Sequence, residues 1–506
     1  MSTYDYDLIV IGGGPVGENV ADYAAKRGVR AAIVESELVG GECSYWACMP
    51  SKALLRSGHA VRAARRLAGA REAMTGSIDV SAVLSRRSAF TDGWRDDGQV
   101  AWLESAGIDL LRGRGRLAGA HAVQVGGQVF TARAVALATG SVPVLPDIPG
   151  LASAAPWGTR EAAAADHVPP RLVVIGGGVA GVEFAFAFSA LGSQVTVLSR
   201  CGLLDREEPF VGEHLAEALA EEGVEVRLGV MPTCVDRNED RVVSIALEDG
   251  TVVQAEEILV STGRRPNTDD LGLDTVGLDP IGLDPVGVDP VGLDPVGVGR
   301  VGSDRAGLDA AGRLTVDDTL LVDGTDWLYA VGDVNGRALL THQGKYQARA
   351  AGEAIAARLQ GTPLDDVPWG AHVATADHAA VPHVVFSDPE VASVGLTEAR
   401  ARGLGCTIRT VEYDLGGVAG AKLQADGYTG RAKLVVDEDR RVILGATFLG
   451  QDVAELLHSA TIAIVGEVTI DRLWHAVPAY PTISEIWLRL LETYGRSERP
   501  IIPVTT

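Results

Sequence analysis

The chain has 506 residues, 46% hydrophobic and 22% charged, which suits about three globular domains and excludes a disordered polymer. Its formal net charge is -23. Such an acidic surface repels phosphate backbones and anionic lipid, so neither nucleic acid nor membrane is expected as a partner.

The N-terminus, Met1-Ser2-Thr3-Tyr4-Asp5-Tyr6-Asp7, lacks the basic start of a signal peptide. No apolar run reaches the roughly 18 residues of a membrane span. These features lead to the expectation of a cytoplasmic protein. The five cysteines are Cys43, Cys48, Cys201, Cys234 and Cys406, too few in so long a chain for a secreted disulfide framework.

The first predicted unit is a strand, Leu8–Ile11, then Gly12-Gly13-Gly14-Pro15-Val16-Gly17, then a helix to about Lys26. A second strand, Ala31–Val34, ends in Glu35. This is a βαβ dinucleotide fingerprint. Gly12 allows the tight turn, Gly14 the close approach of a pyrophosphate, and Gly17 the packing of helix on strand. The helix N-terminus faces the phosphates and Glu35 the ribose hydroxyls.

Next comes Gly40-Gly41-Glu42-Cys43-Ser44-Tyr45-Trp46-Ala47-Cys48-Met49-Pro50-Ser51-Lys52. A helix opening at Gly41 and Cys43 would set the two sulfurs one turn apart on one side. Its N-terminus would favour a thiolate. A zinc site would need further ligands, and no other Cys or His cluster has suitable spacing, so no metal is expected. A redox-active pair is the reading adopted.

Further along, Ala138-Thr139-Gly140 precedes Pro143 and Pro146 and suits a crossing between domains. A second fingerprint follows the strand Leu172–Ile175, as Gly176-Gly177-Gly178-Val179-Ala180-Gly181 with a helix to about Leu191. Its second strand, Gln194–Leu198, ends in Ser199-Arg200, with Arg206 behind. An arginine there accepts a 2′-phosphate that a carboxylate would repel, so NADP is expected over NAD. From about Gly272 to Gly297 a five-residue unit close to Gly-Leu-Asp-Pro-Val repeats. Proline and glycine in nearly every unit exclude a helix or a central strand, and the segment is read as an extended or disordered excursion. The strand Leu328–Val331 ends at Gly332-Asp333, and a helix starts near Thr341. Beyond about 375, short strands such as Lys433–Val436 and Ile443–Phe448 alternate with helices, one of them around Val453–Ile464, as a third domain.

The cysteine motif resembles the Gly-Gly-Thr-Cys-x4-Cys-x-Pro-Ser-Lys signature of the class I pyridine nucleotide–disulphide oxidoreductases. The resemblance covers almost the whole chain apart from the repeat. It implies an α/β fold with two Rossmann-like dinucleotide-binding domains, for FAD and NAD(P)H, and a C-terminal α+β dimerisation domain, in a homodimer. The implied divisions are 1–155 and 313–372 for FAD, 156–268 for NAD(P)H, 269–312 for the repeat insert, and 373–506 for dimerisation.

The resemblance also implies site residues. Gly12, Gly14, Gly17, Glu35, Gly41, Gly115, Thr139, Gly140, Asp333 and Thr341 match FAD contacts. Gly176, Gly178, Gly181, Ser199, Arg200, Arg206 and Gly263 match the nicotinamide nucleotide site. Lys52 resembles the lysine beside flavin N5 and Glu183 its buried partner. Cys48 matches the flavin-proximal thiolate, and Cys43 the outer thiol that attacks a small disulfide acceptor.

Three departures stand out. Glu42 replaces the family's threonine. Val179 replaces a tyrosine that covers the flavin in several relatives. The C-terminal His-Pro-Thr-x-Ser-Glu motif reads Tyr480-Pro481-Thr482-Ile483-Ser484-Glu485. Reference pKa values are about 6.5 for histidine and about 10 for tyrosine, so the phenol is a poor base at neutral pH. Loss of general acid–base help costs about 10²–10⁴-fold. His475, upstream of Pro478, is read as a surface residue. Mercuric reductases share a tyrosine here but use a C-terminal cysteine pair, and the final run Ile501–Thr506 has none. Hg²⁺ reduction is therefore not expected. Two alternatives to disulfide reduction stay open: an NAD(P)H:quinone or metal-ion reductase using flavin directly, and a non-catalytic flavin-bound redox sensor.

Overall fold

The computed structural model describes residues 4–278, 307–309 and 311–496. The chain divides into two compact units. The first holds residues 1–55, 79–200 and 227–378; the second holds 56–78, 201–226 and 379–506.

The first unit is built on a seven-stranded sheet. Tyr6–Ile11 lies at its centre, parallel to Ala31–Glu35 on one side and to Gln128–Leu137 on the other, with Leu8 opposite Ala31 and Ala134. Asp109–Arg112 adds outside Ala31–Glu35, and Leu328–Ala330 pairs parallel with Gln128–Leu137. Leu8, Ile9 and Val10 are all fully buried, as a parallel strand covered on both faces must be. On one face, the helix Pro15–Ala25 packs against Thr341–Gln360. Any side chain at Gly352 would meet Tyr23 Cβ at 2.7 Å, so this glycine sets the distance between the two helices.

A separate four-stranded sheet has the order Glu225–Leu228, Gln194–Ser199, Arg171–Ile175, Glu257–Val260. The helix Val179–Ala190 is buried along its length from Gly181 to Phe188, which explains its nearly uniform apolar sequence. A two-stranded antiparallel ribbon, Ser141–Pro143 against Arg264–Pro266, makes both crossings between the two nucleotide folds. Thr139 and Asn267 lock it: the Thr139 hydroxyl donates to Asn267 O at 2.8 Å, and the Asn267 amide donates to Thr139 O at 3.2 Å.

The second unit carries a five-stranded antiparallel sheet, Pro382–Val385, Glu390–Gly395, Val442–Gly450, Arg431–Asp437, Ile408–Asp414. The helices Leu457–Val465 and Ile486–Tyr494 belong to it, the latter with one apolar stripe of Ile486, Leu490, Leu491 and Tyr494. The α/β class with two dinucleotide-binding folds and a separate C-terminal domain is as the sequence led one to expect. Residues 56–78 and 201–226, assigned from the sequence to the nucleotide domains, group with the second unit.

Most of the Gly-Leu-Asp-Pro-Val repeat, 279–297, lies outside the described residues. Its first units do not form an exposed excursion. Gly272 and Gly277 take left-handed φ values of 71° and 76° around a 3-10 turn, Leu273–Val276. Leu273 and Leu278 are thereby buried beside Leu117, Leu308 and Leu314. The five-residue spacing, read as having little to bury, delivers a leucine to the core at each of these two turns. Truncating either Leu273 or Leu278 to alanine is expected to cost about 2–5 kcal/mol, measured by denaturant unfolding.

Candidate active site

The first fingerprint folds as a loop between Tyr6–Ile11 and Pro15–Ala25, with proline at the start of the helix. Its glycines divide by surroundings. Gly12, at φ 108°, is closed in by the Ala138 carbonyl, and Gly17 by the Gly12 carbonyl. Gly14 has no heavy atom nearer to an added Cβ than Gly41 Cα at 3.9 Å. In the second fingerprint Gly176 and Gly181 are likewise enclosed, by Ser261 and by Gly176, and Gly178 faces open space. Each loop thus presents one bare backbone surface at a helix N-terminus, the shape a pyrophosphate needs.

Glu35 is already fixed at the first loop: Gly13 N–H and Glu37 N–H each donate to its carboxylate at 2.7 Å. Gly115 sits against Val34 and Ile11, where an added Cβ would fall 2.9 Å from Val34 Cγ1. Asp333 ends the Leu328–Ala330 crossing and accepts from Ser141 Oγ at 2.6 Å. Burial pushes its carboxyl up, against the Ser141 hydrogen bond and Arg264. Glu18 was not singled out from the sequence. Its Oε1 is buried with no hydrogen-bond partner among the described residues, and burial raises the carboxyl to about 7. Open glycine cradles, a fixed carboxylate beside the loop and an orphaned acceptor fit a bound dinucleotide.

The cysteine pair does not lie on one helix, as the spacing suggested. Cys43 is in the short helix Gly41–Tyr45, and Cys48 opens the next, Cys48–Arg65. The break comes from the spacer. The Tyr45 ring is buried, its hydroxyl donating to Arg95 O at 3.2 Å, and its own carbonyl is taken by Trp94 Nε1 at 3.1 Å. Trp46 lies under the Arg160 guanidinium at 3.8 Å, and Arg160 also grips Glu37. The two thiols still meet. Cys48 Sγ stands 3.4 Å from Thr341 Oγ1, the first residue of Thr341–Gln360. The hydrogen bond from Cys43 pulls the Cys48 thiol well down, helped by Thr341 and the Lys52 ammonium against burial. Cys43 is pushed far up by the same hydrogen bond and by burial. Thr341 and the Lys52 ammonium favour negative charge on both sulfurs.

One turn on from Cys48, Lys52 Nζ donates to Glu183 Oε2 at 2.6 Å. Glu183 is only 4% exposed, on the buried helix Val179–Ala190. Arg200 is exposed just past the strand Gln194–Ser199, and Ser199 is buried. Val144 N–H donates to the carbonyl of Gly263, at φ 133°, at 2.9 Å, beside the ribbon. Gly140 has open space around it.

In the second unit, Arg206 is exposed and Tyr480 is 76% exposed. Glu485 is buried, accepting from Arg489 at 2.5 Å and from Ala419 N–H at 3.3 Å. His475 is exposed. No group of three or more His, Cys, Asp or Glu able to hold a metal occurs among the described residues, and no described helix is long and apolar enough to cross a membrane.

Lys52→Met removes the ammonium that pairs with the buried Glu183 carboxylate. Its expected cost is about 3 kcal/mol of stability, the lower end for removing one partner of a buried pair, and Glu183→Gln in the same chain should return part of it. In the Cys43→Ser variant, where a hydroxyl replaces the donating thiol, Cys48 is expected to ionise below the free-thiol range. Its thiolate absorbance should persist at neutral pH and fade on acidification, and Thr341→Val should move the midpoint upward.

Residues 6–285 match the family described as pyridine nucleotide-disulphide oxidoreductase, and residues 381–490 match the dimerisation domain of that family. The chain is 30% identical over 497 residues to dihydrolipoyl dehydrogenase of Chlamydia muridarum (strain MoPn / Nigg), covering 95% of each chain. It is 30% identical to glutathione reductase of Burkholderia cepacia, covering 97% of this chain and 99% of that one. It is 29% identical to mercuric reductase of Staphylococcus aureus, covering 95% of this chain and 81% of that one. In fold it is similar to the HOCl-induced flavoprotein disulfide reductase RclA from Escherichia coli, with a TM-score of 0.77 at 24% identity over 96% of this chain and 99% of that one. The chain belongs to the pyridine nucleotide-disulphide oxidoreductases and is an FAD-dependent NAD(P)H oxidoreductase that works through flavin and a disulfide.

Proposed function

We propose that the chain reduces a small disulfide with electrons from NADPH, with Cys48 as the inner and Cys43 as the outer sulfur. The observation that carries this reading is the setting of the pair: Cys48 Sγ lies 3.4 Å from Thr341 Oγ1 at the start of the helix Thr341–Gln360, and Thr341 and the Lys52 ammonium favour negative charge on the sulfurs. Bound FAD would supply a two-electron relay between the nicotinamide and the pair.

On this reading the first loop, Gly12, Gly14 and Gly17, holds the FAD pyrophosphate, with Glu35 at the ribose and Gly115 near the adenine half. Gly41, Thr139, Gly140 and Asp333 line the remaining length, and Thr341 brings a positive helix end toward the flavin. Gly176, Gly178, Gly181, Ser199 and Gly263 hold the nicotinamide nucleotide, and Arg200 selects NADPH through its 2′-phosphate. Lys52, anchored by Glu183, sits beside flavin N5.

Two electrons and one proton open the Cys43–Cys48 disulfide to a thiol and a thiolate. The Cys43 sulfur, once deprotonated, attacks the acceptor disulfide and forms a mixed disulfide, releasing one thiolate. Cys48 then attacks Cys43, reforming the internal disulfide and releasing the second. Each released thiolate takes a proton. In the homodimer that the dimerisation domain supports, Tyr480 occupies the proton-carrier position, with Glu485 behind it. We place this chemistry in the cytoplasm, where a reducing pool suits a cycling dithiol.

The tyrosine also supports a second reading, in which the acceptor needs no proton at a leaving sulfur. A quinone or a metal ion has that property. One structure of the RclA protein is a Cu(II) complex.

The test is steady-state turnover of disulfides, quinones and Cu(II) or Hg²⁺ with NADPH and NADH. NADPH is expected to give the higher kcat/KM, with Arg200→Ala narrowing the difference. Cys43→Ser should abolish disulfide turnover and spare flavin reduction. Tyr480→His should raise disulfide turnover about 10²-fold. Disulfide turnover surviving in Cys43→Ser would sink the main reading.

A further inference from the structure

We propose that Arg264 is a positioning residue that ties the cysteine-bearing turn to the carboxylate of Asp333, and that it is what permits a glutamate at position 42. The proposal rests on the reading of Asp333 as a flavin contact.

Arg264 opens the ribbon strand Arg264–Pro266. Its Nη2 donates to Glu42 Oε2 at 2.5 Å and to Ser141 O at 2.7 Å. Its Nε donates to Ser141 Oγ at 2.7 Å, and Ser141 Oγ donates onward to Asp333 Oδ2 at 2.6 Å. Four residues from four parts of the chain are thus joined: the short helix that holds Cys43, each of the two strands of the ribbon, and the segment after Leu328–Ala330. Three of these bonds come from one planar guanidinium. A lysine, with its charge at one point on a flexible stem, does not reproduce that fork.

The charges explain why the cation is needed. Glu42 stands next to Cys43, in a pair that carries a negative charge when reduced. It also acts on Asp333, whose carboxyl is raised first by burial, lowered by Ser141 and by Arg264, and raised again by Glu42. Arg264 therefore faces two carboxylates at once. Arg160 also feels Glu42, but its guanidinium is hydrogen-bonded to Glu37 and stacked on Trp46. Without Arg264, two half-enclosed carboxylates confront each other where a flavin must seat. The Arg264 and Glu42 side chains are 25% and 38% exposed, enclosed enough for that repulsion to persist in salt.

The experiment measures FAD retention in the purified FAD-loaded protein, as flavin fluorescence on heating and as the equilibrium constant for FAD. Arg264→Met is expected to weaken FAD binding by about tenfold or more, the effect of losing a charged hydrogen-bond donor. Glu42→Gln alone should leave binding nearly unchanged. Arg264→Met with Glu42→Gln should recover most of the loss, and Arg264→Lys should fall between. A purely structural arginine would not be rescued by neutralising Glu42. The proposal is overturned if Arg264→Met retains FAD like the parent, or if Glu42→Gln fails to rescue it. Should Arg264→Met not fold, Arg264→Lys carries the test. It should weaken FAD binding in part, and Glu42→Gln in the same chain should restore it; absence of restoration overturns the proposal. If the parent chain binds no FAD, the flavin reading of this site fails. If it binds FAD and the variants keep it, only the role of Arg264 fails.

Discussion

The phosphate loop and the cysteine turn approach each other with almost nothing in between. An added Cβ at Gly41 would lie 2.7 Å from Gly14 Cα, and Gly40 N–H donates to Gly13 O at 2.8 Å. Two stretches of backbone are in contact where any side chain would part them. That contact holds Cys43 and Cys48 over the end of the first fingerprint. The Lys52–Glu183 pair then anchors the following helix to the second fingerprint. Both nucleotide folds are registered to the cysteine pair through one loop contact and one ion pair.

Much of this was legible in the sequence because it rests on local rules. A strand, a glycine loop and a helix declare a fingerprint without reference to the rest of the chain, and both were read correctly as α/β units. The helix break at Trp46 was not legible. It depends on Trp94, Arg95 and Arg160, residues remote in sequence that remove the carbonyl and the ring of the spacer from a continuous helix. The membership of 56–78 and 201–226 in the second unit was hidden for the same reason, since grouping is decided by contacts and not by order along the chain.

The site shows a similar division. Spacing nominated Cys43 and Cys48, the family resemblance nominated Lys52, Glu183 and Thr341, and the fold brings these residues together. Glu18, Ser141 and Arg264 gave no signal that sequence reasoning could weigh. Each matters through a partner that is distant in the chain: Lys345 for Glu18, and Glu42 with Asp333 for the Ser141–Arg264 pair. Glu42 itself was noticed only as a departure. Its meaning emerged with the arginine across from it.

The buried stem of the repeat has a consequence for how this protein can change over generations. Leu278 and Leu308 belong to one core cluster, and an added Cβ at Gly307 would run into the Leu278 side chain. The chain leaves and re-enters the core at adjacent points. A change in the number of units between those points would leave both anchors in place. Closing a longer segment between fixed ends costs only about 0.6 kcal/mol per doubling. The fold itself thus sets little limit on the number of units, provided Leu273, Leu278 and Leu308 keep their places.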